Sequence, residues 1–375
     1  MKQLLSIIFI ALTASLFGQT PISTPATQAS NVTITNITTT SIKVDWTSGS
    51  GSYEIVIVRP ASSTNVLPSS ANMPAYSASS NYGSGTNLGS SNYVVYKSSG
   101  TSVTVSGLTP GVNYEAVVYS YNYGCGQYVL GTCTLPNYYL VKTTYGSGNS
   151  EQHYTLATKP TALPTMSLIG TPGATTATLS TTGAGANWSL ISVRNQSVTG
   201  ANPVDGTYYA ASPVFGSGNQ LGGTGTMNYS TYFNSATGTV NLSNLQPATA
   251  YFARAYACNG TGSASNNSYN YYGYQLVSFS TYNAPPTINT VSNYTICQDA
   301  PTTTVSLSGI GDGSAAETQT LSMYAYSSNT ALIPNPTLSY ASPNSTGTLY
   351  FKPNAGQSGT AVISIYLYDN SPNND

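Results

Sequence analysis

The residue best suited to acid–base chemistry in this chain of 375 residues is its single histidine, His153. Ser150 and Glu151 lie close to it in sequence, and these three residue types can serve as nucleophile, base and orienting acid. A triad needs its groups to converge in space, whereas adjacent residues of a strand point to opposite faces. We therefore interpret His153 as an exposed strand residue and predict no catalytic residue.

Sequence motifs that activate a nucleophile or hold phosphate or zinc are also missing: the sequence has no Gly-x-Ser-x-Gly, His-Glu-x-x-His or Gly-Lys-Ser. The Gly-Ser-Gly segments at 83–85 and 216–218 are followed by neither a lysine nor a helical pattern. We predict that they form turns. The chain is predicted not to be an enzyme.

Charged residues are scarce, since nine Lys and Arg and ten Asp and Glu make up 5% of the chain. A nucleic-acid binder would need a basic surface to neutralise phosphates, so that function class is excluded. Calcium is the one cofactor for which the sequence offers ligands, because several acidic residues occur after residue 290. These are Asp299, Asp312, Glu317, Asp369 and Asp375. They follow no EF-hand spacing, so Asx turns are the preferred interpretation and no metal site is predicted.

Two of the four cysteines, Cys125 and Cys133, share one Gly- and Tyr-rich segment, and we predict that they form a disulfide in an oxidising compartment. Cys258 and Cys297 fall in different predicted domains. They either pair across the boundary, or Cys297 has its partner beyond residue 375.

Tyrosine is unusually frequent, with 32 residues, and it clusters near residues 119–145 and 269–274. Aromatic rings with a hydroxyl suit contact surfaces. The predicted ligand-contact residues are Tyr123, Tyr128, Tyr271 and Tyr272. A glycan or an extracellular protein is the expected kind of partner, although packing on strands accounts for most tyrosines.

The N-terminus has the pattern of a secretory signal, in which Lys2 precedes an apolar run over residues 4–12 and cleavage is expected before Gln19. The apolar run is shorter than a bilayer span, for which about 18–20 residues are needed. We therefore predict a secreted or cell-surface protein without a membrane span, with residues 1–18 as signal peptide and 19–30 as linker.

Beyond the linker, β-forming residues, Gly and Pro are common and helix formers are rare, so the predicted fold class is all-β. The sequence also repeats after about 135 residues. Segment 82–89 aligns with 215–222. A second match aligns Leu108-Thr109-Pro110 and Tyr114 with Leu245-Gln246-Pro247 and Tyr251. Two homologous domains are predicted, at 31–158 and 161–281.

The Leu-x-Pro-x-x-x-Tyr element predicts a corner at which the hydroxyl of Tyr114 or Tyr251 bonds back to the backbone. With Trp46 on an early strand, it resembles fibronectin type III domains. The long insertion between Arg59 and Tyr96 resembles a variant found in large surface and secreted proteins of gliding bacteria. That resemblance implies tandem β-sandwiches in an elongated array and export through the type IX route.

A third unit is predicted over 284–375. Its short motifs, among them the segments 307–310 and 358–361, resemble cadherin- or immunoglobulin-like repeats. It ends at residue 375 directly after a strand, so we expect a truncated domain of a longer protein. The predicted function is non-catalytic: a secreted or cell-surface structural or adhesion protein. The alternative is an accessory spacer or binding region of a secreted hydrolase whose catalytic domain lies beyond residue 375.

Overall fold

The computed structural model describes residues 22–125, 128–129, 132–133, 137–183, 185–195, 200–262, 265–315 and 318–370, with the backbone alone at 128–129, 132–133, 137–138 and 140. Its regular structure consists of β-strands and one 3-10 turn, Met73–Ala75, so the predicted all-β fold class is confirmed. The chain divides into two compact parts: Met1–Thr158 with Ser263–Ser268, and Lys159–Gly262 with Tyr269–Asp375. The second part contains both the second repeat and the third unit. The predicted signal peptide and its cleavage site lie outside the described residues.

The first repeat is a sandwich of two antiparallel sheets. The smaller sheet has the order β1-β2-β5, with β1 at Ser30–Thr35, β2 at Ile42–Thr47 and β5 at Ser102–Val105. The larger sheet contains β3 (Tyr53–Pro60), β4 (Tyr93–Ser98), β6 (Asn113–Cys125), β9 (Asn137–Val141) and β10 (Ser150–Tyr154). Its order is β10-β6-β3-β4, and β9 pairs with the far end of β6. A short hairpin joins β7 (Tyr128–Val129) to β8 (Thr132–Cys133).

The larger sheet of this repeat is buried on both faces. Its inner face, with Val56, Val58 and Val118, packs on Ile42 and Trp46 of the smaller sheet. Its outer face carries a second core, which contains Ile55, Ile57, Val94, Val117, Tyr119, Tyr121, Val141 and Met73. Met73 belongs to the insertion between β3 and β4. The uninterrupted run Ile55-Val56-Ile57-Val58 is typical of a strand covered on both sides.

The second repeat has the same two sheets. The smaller sheet, in the order β11-β12-β15, is built from β11 (Thr165–Ile169), β12 (Ala177–Thr182) and β15 (Gly238–Leu242). The larger sheet contains β13 (Trp188–Arg194), β14 (Tyr229–Ser235), β16 (Ala250–Asn259), β17 (Ser268–Tyr269) and β18 (Gln275–Ser280). Its order is β14-β13-β16-β17, and β18 pairs with the start of β16. An outer core again forms, with Leu190, Tyr209, Leu221, Tyr256, Cys258 and Tyr269.

Both insertions are attached to their sheets through the same backbone hydrogen bonds. Ser79 N–H donates to Val94 O (3.2 Å) in the first repeat, and Ser212 N–H donates to Ser230 O (3.1 Å) in the second. A tyrosine hydroxyl also closes each insertion on itself: the hydroxyl of Tyr76 accepts from Ser69 N–H at 3.1 Å, and that of Tyr209 from Val204 N–H at 3.0 Å. The insertions are thus ordered layers of the domains.

The Gly-Ser-Gly segments lie where the insertion runs closest to the sheet. Gly83 and Gly216 have positive φ of 90° and 95°, as expected of turns. Gly85 and Gly218 have no room for a side chain, because a Cβ atom would clash with the carbonyl oxygens of Val94 and Ser230 respectively. Close approach, in addition to turn geometry, explains the second glycine of each segment.

The described residues of the third unit form five strands in two sheets. These are β19 (Thr303–Ser308), β20 (Ser322–Ser327), β21 (Thr337–Ser339), β22 (Thr346–Phe351) and β23 (Ile363–Tyr368). One sheet has the order β19-β22-β21, and the other is the antiparallel pair β20-β23. Val305, Leu307, Leu349 and Ala325 belong to its core. The domain boundaries predicted from the sequence stay predictions, and the strands of the three units span 30–154, 165–280 and 303–368.

Replacing Gly85 or Gly218 by Ala is expected to destabilise the protein by about 1–3 kcal/mol, because the backbone must move to admit the methyl group. Urea unfolding of each variant measures the change. Gly146→Ala is the matched control, since a Cβ there meets no atom within 4 Å. Equal stability of all three variants would contradict the packing argument.

Candidate functional site

An open groove lies on the outer face of the larger sheet of the first repeat, beside the insertion. Its volume is about 470 Å³. We call it the aromatic groove. Its lining residues come from β3, β4, β6, β9 and the insertion; they are Tyr53, Tyr76, Ala78, Lys97, Tyr121, Tyr123 and Tyr139. Five of these seven side chains are tyrosines, so the groove presents aromatic faces and hydroxyl groups.

The tyrosine rings of the groove pack against one another. Tyr53 stacks on Tyr121 with ring centroids 5.4 Å apart, and Tyr139 lies 5.7 Å from Tyr121 and 4.7 Å from Tyr123. Tyr121 is 4% exposed, whereas Tyr123 is 44% exposed. The ring of Tyr121 is buried and the rings of Tyr53 and Tyr139 are half-buried. Together they hold the exposed ring of Tyr123 in one orientation.

Lys97 is the charged residue of the groove. Its ammonium group donates to the carbonyl oxygens of Met73 (2.6 Å) and Tyr76 (3.2 Å), and it lies 4.7 Å from the centroid of the Tyr139 ring. Burial lowers the pKa of Lys97 below its usual value. Since two backbone carbonyls and an aromatic face already hold this cation, its main role here is to join the insertion to the sheet.

The second repeat fills the equivalent place. Trp188 is the counterpart of Tyr53, because Tyr53 pairs with Tyr121 of β6 and Trp188 pairs with Cys258 of β16. Phe233 is the counterpart of Lys97, because Lys97 pairs with Ile55 of β3 and Phe233 pairs with Leu190 of β13. Trp188 and Phe233 both pack on the outer core there, and the indole N–H of Trp188 donates to Gly260 O at 3.0 Å. The open aromatic groove is thus a feature of the first repeat.

Tyr271 and Tyr272 follow β17, which pairs with β16 as β9 pairs with β6. Asn270 N–H donates to Ala257 O as Lys142 N–H donates to Ser120 O, which places Tyr271 just after the counterpart of Lys142. Tyr271 and Tyr272 thus correspond to Thr143 and Thr144, which lie between Tyr139 and Tyr145 of the first tyrosine cluster. Their role as ligand-contact residues stays a prediction.

Tyr271 and Tyr272 surround a lysine. Lys159 Nζ lies 3.8 Å from the ring centroid of Tyr271 and 5.6 Å from that of Tyr272, and it forms an ion pair with Asp205 at 2.7 Å. Burial, the largest single effect, lowers the pKa of Lys159, but hydrogen bonds to Asp205 and Tyr271 raise it overall. Tyr272 is 86% exposed. These contacts stabilise the loop before β18.

Of the other tyrosines near Cys125, Tyr119 and Tyr121 belong to β6 and are buried in the outer core. The side chain of Tyr128 lies outside the described residues. The same holds for Cys133, so its disulfide with Cys125 stays a prediction, although the Cys125 side chain is buried. Cys258 and Cys297 are not bonded to each other: the first thiol is buried and the second is exposed.

The two corner tyrosines lie between the sheets of their repeats. The hydroxyl of Tyr114 accepts from Thr109 N–H at 3.1 Å, and that of Tyr251 accepts from Gln246 N–H at 2.7 Å. Both side chains are buried, at 2% and 0% exposure. Each bond satisfies a backbone donor at the turn before the long central strand, which is a structural role.

The residues considered for catalysis do not converge. His153 Nδ1 bonds to the neighbouring carbonyl oxygen of Tyr154 at 2.7 Å, and Ser150 Oγ donates to Gly146 O at 3.0 Å. The side chain of Glu151 is exposed.

The described acidic residues considered for calcium each accept a hydrogen bond from a different part of the chain. The carboxylates of Asp299, Asp312 and Asp369 accept from Gly356 N–H, Gln319 N–H and Asn283 Nδ2 respectively. In the part of the chain that the structure describes, no three His, Cys, Asp or Glu residues gather as a metal site. Glu317 and Asp375 lie outside the described residues.

Sequence reasoning missed a buried ion pair beneath the first insertion. Arg59 bonds to Glu115, whose other carboxylate oxygen accepts from the hydroxyl of Tyr145 at 2.8 Å. The Arg59 guanidinium also donates to the carbonyl oxygens of Pro60 and Ala61 at 3.2 Å. The side chains of Arg59 and Glu115 are 6% and 2% exposed. Removing either residue would therefore leave the charge of the other buried without its partner. The sequence did contain a signal for this ion pair, because Arg59 directly follows the apolar run that ends at Val58.

In each repeat a three-stranded sheet faces a five-stranded one, in which the last two strands pair with different parts of the same central strand. This is the strand order of a fibronectin type III sandwich. Among solved structures, the chain resembles a two-domain fibronectin type III segment of chicken tenascin, with 12% identity, a TM-score of 0.24, and 68% of this chain and 99% of that chain covered. It also resembles the FN1-FN3 domains of chicken CNTN1, with 11% identity, a TM-score of 0.20 and 93% of each chain covered.

Comparisons of the sequence with protein families and with characterised proteins find no match. The first two repeats are therefore described by their fold, as tandem fibronectin type III-like β-sandwiches. Within the described residues, no helix has the length and apolarity needed to cross a membrane.

Alkaline pH is expected to unfold the protein, because several tyrosines must ionise inside its cores. Burial raises the pKa of Tyr119 to about 12, and it also raises the pKa values of Tyr121, Tyr251 and Tyr256. A raised folded-state pKa contributes stability that is complete below the ordinary value of about 10 and is lost as pH rises further. Melting temperatures between pH 8 and pH 12 should fall above pH 10 as tyrosinate absorbance appears. Constant melting across that range would contradict this prediction.

Peptide mapping without reduction is expected to recover Cys125 and Cys133 as one linked peptide, and Cys258 and Cys297 as thiols. Reduction should then lower the melting temperature, since the bond closes a short loop. Recovery of Cys133 as a thiol in protein purified from an oxidising compartment would contradict the predicted pairing.

Proposed function

We propose that this chain is a secreted or cell-surface adhesion protein built of β-sandwich modules, in which the aromatic groove of the first repeat contacts the ligand. The observation that supports this proposal is the aromatic lining of the groove, in which five of seven residues are tyrosines. At the equivalent place the second repeat packs Trp188 and Phe233, and its own groove of about 430 Å³, beside its insertion, is lined mainly by Gly, Thr, Asn and Gln. A place that only packed the insertion would have no need of accessible rings.

The chemistry of the groove favours binding. Its lining residues include no carboxylate, histidine, cysteine or serine, and the ammonium group of Lys97 is held by two backbone carbonyl oxygens. The groove therefore pairs no nucleophile with a base that would activate it. Tyrosine offers a large contact area with few rotatable bonds and a hydroxyl for hydrogen bonding. We infer a non-catalytic role on this basis.

Low charge suits adhesion in media of varied salt, because contacts made by rings and hydroxyls are screened less than ion pairs. The signal-like N-terminus supports export, and the proposed ligand is an extracellular protein or glycan. Passage through the type IX route and the cadherin-like identity of the third unit remain part of the proposal.

The Tyr123→Ala/Tyr139→Ala variant is expected to lose most adhesion of protein-coated beads to mucin-coated glass, because it removes the accessible part of the groove. Bead retention under flow measures the effect at low and high salt. Tyr272→Ala is the control, since this residue is exposed on the second repeat.

Unfolding curves show whether the variants keep their fold. Unchanged retention of the folded double variant, or loss of retention in the control alone, would contradict the assignment to the aromatic groove.

A further inference from the structure

The third unit exposes four tyrosines on one face of its two-stranded sheet. Tyr324 and Tyr326 lie on β20, and Tyr366 and Tyr368 lie on β23. Each of the four is 46–52% exposed. We call this surface the tyrosine face. The alternate residues Met323, Ala325, Ile365 and Leu367 belong to the core of the unit or pack against it, so the tyrosines occupy the solvent side of the pleat.

The four rings form one continuous platform. Tyr324 pairs with Tyr366 in the strand register, and diagonal contacts place Tyr324 at 6.0 Å from Tyr368 and Tyr326 at 5.7 Å from Tyr366. The rings of Tyr366 and Tyr368 are 6.4 Å apart and nearly parallel, at 10°. The rings along each strand thus repeat every second residue, about 6.7 Å by strand geometry.

Sheet formation alone does not account for this face. The solvent side of β19, in the other sheet of the same unit, carries Thr304, Ser306 and Ser308. The solvent side of β12 carries Thr178 and Ser180, so small hydroxyl residues serve on these two strands where they meet water. Contiguous exposed aromatic surface of this kind marks an interaction site.

The chemistry of the tyrosine face identifies its occupant. None of the twelve residues of β20 and β23 is charged, and Ser322 and Ser364 add hydroxyls beside the rings. Around it, the segment 283–375 carries five acidic residues against Lys352 alone, which disfavours anionic ligands. A flat, neutral and periodic surface complements a flat, neutral and periodic chain of sugar rings, whose C–H faces stack on aromatic rings and whose hydroxyls bond to phenols.

We propose that the tyrosine face of the third unit binds a neutral polysaccharide lying along the strands. This site is separate from the aromatic groove of the first repeat and does not depend on the function proposed for that groove. Each ring adds a stacking contact of modest strength, so the affinity comes from several rings bound by one chain.

Affinity electrophoresis of the full chain through gels containing hydroxyethyl cellulose tests the proposal, with polysaccharide-free and alginate gels as references. We expect retardation by the neutral polymer only. The double variant Tyr324→Thr/Tyr366→Thr should bind roughly tenfold more weakly, because it removes two stacking contacts while keeping β-forming residues. Tyr350→Thr, an exposed tyrosine on β22, should bind as the parent does.

Circular dichroism and sedimentation of each variant complete the experiment. Retardation that survives in the folded double variant would overturn the proposal, as would retardation by alginate alone or loss of retardation in Tyr123→Ala instead. A dimer in the parent that the double variant abolishes, without polysaccharide binding, would assign the face to self-association. If the double variant unfolds, Tyr326→Thr and Tyr368→Thr as single changes carry the comparison.

Discussion

Burial of the larger sheet on both faces is the constraint on which the two repeats depend. The inner face of each such sheet packs on its smaller sheet, and the outer face packs beneath its insertion. Apolar side chains such as Ile55 and Ile57 would meet water without the insertion, at a cost of about 1.5–3 kcal/mol each. The insertion is therefore part of the folded domain, and the backbone hydrogen bonds of Ser79 and Ser212 attach it to the sheet.

The same outer layer explains why the two repeats differ at the place of the aromatic groove. Both repeats place aromatic side chains where the insertion ends, but the side chains at equivalent positions differ in size. In the first repeat Lys97 reaches sideways to backbone carbonyls, which leaves the rings of Tyr123 and Tyr139 accessible. In the second repeat Phe233 takes the place of Lys97 and packs on the outer core with Trp188. A few substitutions on a common scaffold thus separate a closed layer from an open one.

The sequence predicted the all-β class, the repeat and the corner tyrosines, because periodic apolar residues and the Leu-x-Pro-x-x-x-Tyr element reflect local geometry. It did not predict the aromatic groove, since Tyr53, Lys97 and Tyr139 come together only through the pairing of β3, β4, β6 and β9. The tyrosine face could have been read from Tyr-x-Tyr on two strands, but their adjacency depends on the fold.

The second core has a consequence for how such domains arise and change. A sheet whose outer face is apolar at Ile55 and Leu190 cannot shed its insertion by a simple deletion, because the strands and the loop must alter together. Duplication must therefore copy strand and insertion as one block of about 135 residues. The Gly-Ser-Gly segment recurs at the same place in both repeats, and the exchange of Lys97 for Phe233 shows that the outer layer tolerates a change without being lost.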